Sequence, residues 1–308
     1  MKVAFLYGGQ GSQKSKMGLD FYENSEVAKK YYDSINITKD VKELSFFTDE
    51  EVLKETENTQ VVLVAFQIMV TKLLESKGII ADAVAGLSIG EYGALYASGV
   101  LSDEDALKVA ELRGEAMKKS SENIDTLMYA IMGSTEEAVR EVVGKNSSEL
   151  NFTSISNLNC PGQIVISGER SSVLSSVDQL KELGCRAIEL KVSGPFHTEY
   201  MKQASEELEY IFKDINFKEE KIDLYYNLLG RKRDGEDIKE IMTNQVMQAV
   251  RFEDALKNML EDGVDEFVEI GFNNVIKRFM KKIDRKIKVS TISTYEDYLK
   301  FVEEYKGE

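Results

Sequence analysis

The chain holds one histidine, two cysteines, two prolines and no tryptophan in 308 residues. A single histidine, His197, excludes a histidine cluster for metal, and Cys160 and Cys185 are too far apart in sequence to read as a zinc pair. Two cysteines also exclude a disulfide framework and fit a reducing compartment. Positive charge is scarce: the formal net charge is −15. Bulk binding to nucleic acid or to an anionic membrane is therefore not expected, since both require a positive surface. The longest apolar run, "VVLVAF" extended through Val70, falls short of the ~20 residues of a membrane span. Residues 3–7, "VAFLY", are too short for a signal-peptide core and run straight into glycines, so they read as a strand. A cytoplasmic protein is expected. If any serine here needs an imidazole base, only His197 can supply it.

The length suggests about two domains, and the 43% hydrophobic content is that of a globular chain. The first half alternates strand-like and helix-like segments, the pattern of an α/β fold with a parallel sheet. "TQVVLVAFQIMVTKLLESKG" is apolar nearly all round and reads as a buried helix, "ADAVAG" as a strand, and "SDEDALKVAELRGEAMKK" as an amphipathic helix opened by a Ser-x-x-Asp cap. Residues 122–193 read as strand, helix, strand, strand, helix, strand, the order of a ferredoxin-like subdomain, inserted because further strands and helices follow. "KIDLYYNLLG" and "VDEFVEIG" are strand candidates, and the tail from 272 reads as helix, strand, helix. The expected division is a core of 1–121 and 194–308 with a small subdomain of 122–193.

Chemistry concentrates in a few short stretches. "GLSIG", residues 86–90, fits the Gly-x-Ser-x-Gly elbow, in which a strand turns at once into a helix and presents a serine at its tip. Ser88 is then a nucleophile, with the Ile89 N–H as one oxyanion donor; the competing reading is an ordinary helix cap. "GGQGSQ" at 8–13 could bring the Gln10 N–H up as the second donor, although a phosphate-cradling loop or a plain surface loop uses similar residues. Gly-x-x-x-x-Gly-Lys is absent, and Gly-x-Gly-x-x-Gly fails because Lys14 stands where its last glycine belongs. His197, in "VSGPFHTEYM", is either a solvated loop residue or the base. Arg113 is either an intrahelical ion-pair partner or a bidentate clamp for a carboxylate.

Together these stretches resemble the malonyl-CoA:acyl carrier protein transacylase family. The resemblance covers nearly the whole chain. It rests on "GGQGSQ", "GLSIGEYGAL", the Arg-Gly at 113–114, "NLNCPGQIVISGE" at 157–169, "GPFHTEYM" at 194–201 and "NQVMQAVRFEDAL" at 244–256. It implies an α/β-hydrolase-like core with a mainly parallel sheet plus an inserted ferredoxin-like subdomain. It implies Ser88 as the acylated nucleophile, His197 as base, Gln245 as the residue whose carbonyl orients it, and the Gln10 and Ile89 N–H groups as oxyanion hole. Arg113 becomes the clamp for the malonyl carboxylate, and Leu87, Asn159 and Phe196 fall at substrate-binding positions. Leu87 replaces a usual histidine, which removes a polar contact to that carboxylate. Gly8 and Ala249 replace usual prolines, and "GFNNVI" replaces Gly-Pro-Gly-Lys-Val-Leu. Phe196 resembles the malonyl-selective variants of related acyltransferases.

The implied reaction moves a malonyl group from malonyl-CoA to the phosphopantetheine thiol of acyl carrier protein in a ping-pong cycle, supplying fatty acid synthesis, with no bound cofactor. A monomer is expected. For the acidic carrier, "IKRFMKKIDRKIK" at 276–288 and Arg231, Lys232 and Arg233 are candidate docking charges, a solvated face being the alternative. Competing functions are a polyketide-type acyltransferase, an acyl-thioester hydrolase with the same serine chemistry, and a catalytically silent carrier-binding subunit.

Overall fold

The computed structural model of the chain describes residues 2–149 and 151–307. Strand β1 (Val3–Tyr7) leads through the glycine loop to α1 (Leu19–Asn24) and α2 (Glu26–Ser34). A short π-helical turn and α3 (Glu50–Leu53) precede α4 (Thr56–Ser76). Then follow β2 (Ala83–Gly86), α5 (Gly90–Ala97) and α6 (Asp103–Ser120). The Ser102 hydroxyl caps α6 by accepting from the Asp105 N–H at 3.0 Å, as its Ser-x-x-Asp sequence predicts. After the second sheet the chain returns through α9 (Lys202–Ile211), β7 (Asp223–Tyr225) and α10 (Ile238–Gln245). Strand β8 (Val250–Arg251), α11 (Phe252–Glu261), β9 (Glu266–Ile270), α12 (Val275–Ile283), β10 (Lys288–Ile292) and α13 (Tyr295–Gly307) complete it.

The main sheet runs β10-β9-β1-β2-β7 with every neighbouring pair parallel. All five residues of β1 are buried, as continuous apolar strands covered on both faces must be. Helix α4 is the most enclosed helix of the core: nearly all its residues from Thr56 to Leu74 are buried. By length and composition it could cross a membrane; here it lies inside the fold. Helix α6 crosses it where Gly114 permits close approach, since a Cβ there would lie 2.7 Å from the Glu57 Cα.

The second sheet has the order β6-β3-β5-β4-β8. Its strands β3 (Thr126–Met132), β4 (Thr153–Cys160), β5 (Gln163–Glu169) and β6 (Arg186–Glu189) pair antiparallel, with α7 (Glu136–Asn146) and α8 (Arg170–Glu182) between them in sequence. That is the ferredoxin-like arrangement. The fifth strand comes from elsewhere: β8 lies parallel to β4 and stitches the core's last third onto this sheet.

Two expected strands are shorter than their apolar runs. The 221–230 run forms only β7, because the chain reverses there: Gly230 takes φ +66° and donates its N–H to the Tyr226 carbonyl. The 185–193 run pairs only over Arg186–Glu189 and leaves the sheet edge after Leu190, whose N–H reaches Met128 O.

Candidate active site

The site begins where β2 ends. Gly86 and Gly90 are required by space: a Cβ at Gly86 would lie 2.1 Å from Gly90 backbone atoms, and one at Gly90 2.3 Å from the Tyr7 carbonyl. Between them Ser88 takes φ +54°, a conformation uncommon outside glycine and asparagine. Asn227, fully buried beyond β7, holds both sides of the turn: its Oδ1 accepts from the Ser88 N–H at 2.7 Å and its Nδ2 donates to Gly86 O at 2.5 Å. Helix α5 starts at Gly90 without a side-chain cap. Ser88 is therefore no helix cap; its hydroxyl lies 2.7 Å from His197 Nε2.

His197 stands in the loop before α9, also at positive φ, +59°. Its ring Nδ1 lies 2.8 Å from the backbone carbonyl of Gln245, the last residue of α10. A carbonyl can only accept, so Nδ1 carries the proton and Nε2 is left as the acceptor for the Ser88 hydroxyl. The histidine's own N–H donates to the next carbonyl, Val246 O, at 3.0 Å. The imidazole thus rests on the negative end of a helix, which favours a proton arriving on the ring. Against that, burial first and the Arg113 charge second pull the His197 pKa down to about 3. The resting base is neutral.

Arg113 on α6 is fully buried and forms no intrahelical ion pair. Its Nη1 donates to Gln60 Oε1 at 2.7 Å and its Nη2 to Gln245 Oε1 at 2.9 Å, the same Nη2 lying 3.4 Å from Ser88 Oγ. Both firm acceptors are neutral amides. Its Nε and the nearby Tyr92 hydroxyl have no hydrogen-bond partner among the described residues. The guanidinium is thus aimed at the serine with its charge uncompensated by any carboxylate in contact.

The glycine loop after β1 lies against the elbow, since a Cβ at Gly9 would meet Leu87 O at 2.6 Å. The Gln10 side chain donates to Thr56 Oγ1 at 3.2 Å, which is itself 2.7 Å from Ser193 Oγ. Among the described residues neither the Gln10 nor the Ile89 backbone N–H has an acceptor. Leu87 is half-buried and packs against the apolar cluster that includes Tyr225, Phe252 and Phe279. Phe196 is buried in the main cluster, next to His197. Asn159, near the end of β4, is buried with its Oδ1 unpartnered; no hydrogen bond joins it to Ser88, His197 or Arg113. Among the described residues no three histidine, cysteine or acidic side chains group as metal ligands.

Three residues absent from the sequence reading complete the site: Asn227, Gln60 and Glu91. Glu91 lies in the first turn of α5, wholly buried, and accepts from the Asn227 N–H at 2.9 Å and from Gln245 Nε2 at 2.8 Å. Burial pushes its pKa up to about 7. A single acid in the otherwise uncharged run "GEYGALYASG" was the available signal.

Of the other expectations, the basic triplet fails as a free docking surface. Arg231 pairs with Glu236, Lys232 with Asp223 and Asp262, and Arg233 with Glu219 and Glu220.

Residues 4–296 match the acyl transferase domain family. The chain is 39% identical over 296 residues to a malonyl CoA-acyl carrier protein transacylase of Bacillus subtilis, covering 95% of this chain and 93% of that one. The crystal structure of malonyl CoA-acyl carrier protein transacylase from Clostridium perfringens superposes with a TM-score of 0.95 at 33% identity, covering 100% of this chain and 98% of the other. A type II PKS acyl-carrier protein in complex with its malonyl-transacylase gives a TM-score of 0.93 at 28% identity, covering 99% and 100%.

Proposed function

The chain belongs to the acyl transferase domain family, and from that membership we propose that it transfers a malonyl group from malonyl-CoA to the phosphopantetheine thiol of an acyl carrier protein, for fatty acid synthesis. The observation that carries the reading is the convergence on one hydroxyl: Ser88 Oγ has His197 Nε2 at 2.7 Å and Arg113 Nη2 at 3.4 Å. A serine–histidine pair alone is acyl-transfer chemistry in general. A buried arginine beside it selects an acyl group that carries its own carboxylate close to the thioester carbon.

In the cycle, His197 Nε2 takes the Ser88 proton as the oxygen attacks the thioester carbonyl. The Ile89 and Gln10 N–H groups receive the oxyanion, a contribution of about 100- to 1,000-fold in rate for one such donor. The imidazolium is steadied by Gln245 O and the end of α10, then protonates the departing CoA thiolate. The carrier thiol enters, gives its proton to the same nitrogen, and attacks malonyl-Ser88; collapse returns the proton to serine. In this reading 1–121 and 194–308 form the catalytic core and 122–193 the small subdomain. Leu87, Asn159 and Phe196 are assigned to the walls of the acyl and pantetheine path.

The test is intact-protein mass spectrometry after brief exposure to malonyl-CoA or acetyl-CoA, with Ser88→Ala as control. The expected result is a malonyl adduct, absent in the variant, that discharges onto holo carrier protein. An adduct that only hydrolyses would make the enzyme a thioesterase.

A further inference from the structure

We propose that Glu91 is the positioning residue that fixes which way the Gln245 amide faces, and thereby keeps the Arg113 fork open for the carboxylate of the incoming acyl group. The inference rests on the transferase reading above and goes beyond it, because Glu91 touches neither serine, histidine nor arginine through a hydrogen bond.

The hydrogen-bond inventory leaves one arrangement. Glu91 Oε2 faces the Gln245 side chain at 2.8 Å, and a carboxylate only accepts. The amide must therefore turn its NH2 toward Glu91, and the same nitrogen reaches Ser88 O at 2.8 Å. Its oxygen is left facing Arg113 Nη2 at 2.9 Å. A flipped amide would set NH2 against guanidinium and oxygen against carboxylate, replacing two attractions by two repulsions. The other oxygen of Glu91 is held by the Asn227 N–H, and Asn227 clamps the serine turn, so the carboxylate is itself fixed in place.

A buried guanidinium needs compensation, and a carboxylate in direct contact is the usual solution. Here the acid stands one side chain away and acts through a neutral amide. The cation is partly balanced, yet no carboxylate of the protein occupies its donors. The place for one is left beside Ser88.

The experiment compares single-turnover acylation by malonyl-CoA and acetyl-CoA in the full-length enzyme, Glu91→Gln and Gln245→Glu, at pH 8, where Glu91 is ionised. In Glu91→Gln the amide at 91 offers NH2 to Gln245, which turns over and presents a donor to Arg113. Losing the charge-assisted bond should lower the malonyl:acetyl ratio of kcat/KM by about 10-fold or more, mostly through KM for malonyl-CoA. Gln245→Glu places a carboxylate directly on the fork and should lower the ratio at least as far. Circular dichroism and chemical denaturation report whether each variant is folded. A ratio within two-fold of the parent in Glu91→Gln, or an equal loss with both thioesters, would overturn the inference and leave Glu91 a packing residue. A parent enzyme that shows no preference for malonyl-CoA would instead defeat the transferase reading, and the inference would fall with it.

Discussion

Ser88 and His197 both sit at positive φ, and each is held there by backbone-directed bonds from outside its own segment: Asn227 Oδ1 on one side, the Val246 carbonyl on the other. Strain of this kind persists only where surrounding contacts over-determine it. The same enclosure sets the acid–base behaviour. An ordinary histidine would lose most of its basic form below pH ~6.5, but burial and the Arg113 charge keep His197 neutral far below that. Since the protonated ring cannot act as base, the base step itself is lost only as pH falls through the shifted value, while Glu91, raised to about 7 by burial, bears on the malonyl reaction alone. With acetyl-CoA, acylation of the parent should therefore stay flat from pH 8 to 5.5, where an unshifted histidine would cost about 10-fold. Arg113→Ala removes one of the two causes, so its acid limb should move upward, together with loss of malonyl preference. A stopped-flow pH profile checks both; a limb near 6.5 in the parent would refute the neutral, enclosed base.

Helices α4 and α6 set the geometry of the arginine between them. Gln60 reaches Arg113 from one helix to the other across the crossing that Gly114 makes possible. In Gly114→Val the side chain would meet the Glu57 backbone, and backbone yields little. The expected cost is about 1–3 kcal/mol of stability, read by chemical denaturation, with a rise in KM for malonyl-CoA as the helices part. The sequence makes much of this scale legible. Gly-x-Ser-x-Gly carries its geometry within five residues, and the Ser102 cap and the buried α4 declare themselves by local pattern. What stays hidden comes from contacts without local signature. Asn227 lies inside a run that reads simply as strand, and only the reversal at Gly230 turns it under the elbow. Strand β8 has two residues, too few for any period. Arg113 and Gln60 are 53 positions apart, and each is unremarkable in its own helix.

At the scale of the whole molecule, a net charge of −15 leaves few places for an acidic carrier. With Arg231, Lys232 and Arg233 already paired inside the chain, positive charge remains on α12 and just beyond it. Lys281 donates to the Arg285 and Ile287 carbonyls, so reversing it would disturb the helix end. Lys277 and Lys282 have no side-chain partner among the described residues and are the cleaner test. Lys277→Glu with Lys282→Glu should raise KM for the carrier, more at low salt than at high, and leave malonyl-CoA kinetics alone; equal effects on both substrates would remove α12 as the docking face.

The burial of α4 also bears on how this protein is made and unmade. Before the fold closes, residues 56–76 present to their surroundings a segment that by length and composition meets the description of a bilayer-crossing helix. During synthesis that stretch leaves the ribosome before β9 and β10, whose pairing with β1 completes the sheet, have been translated. For that interval the nascent chain exposes an aggregation-prone apolar segment, and a heated sample re-exposes it. Loss of the native state on heating should then end in precipitate, and the shelf life of the enzyme is governed by how fast the core opens.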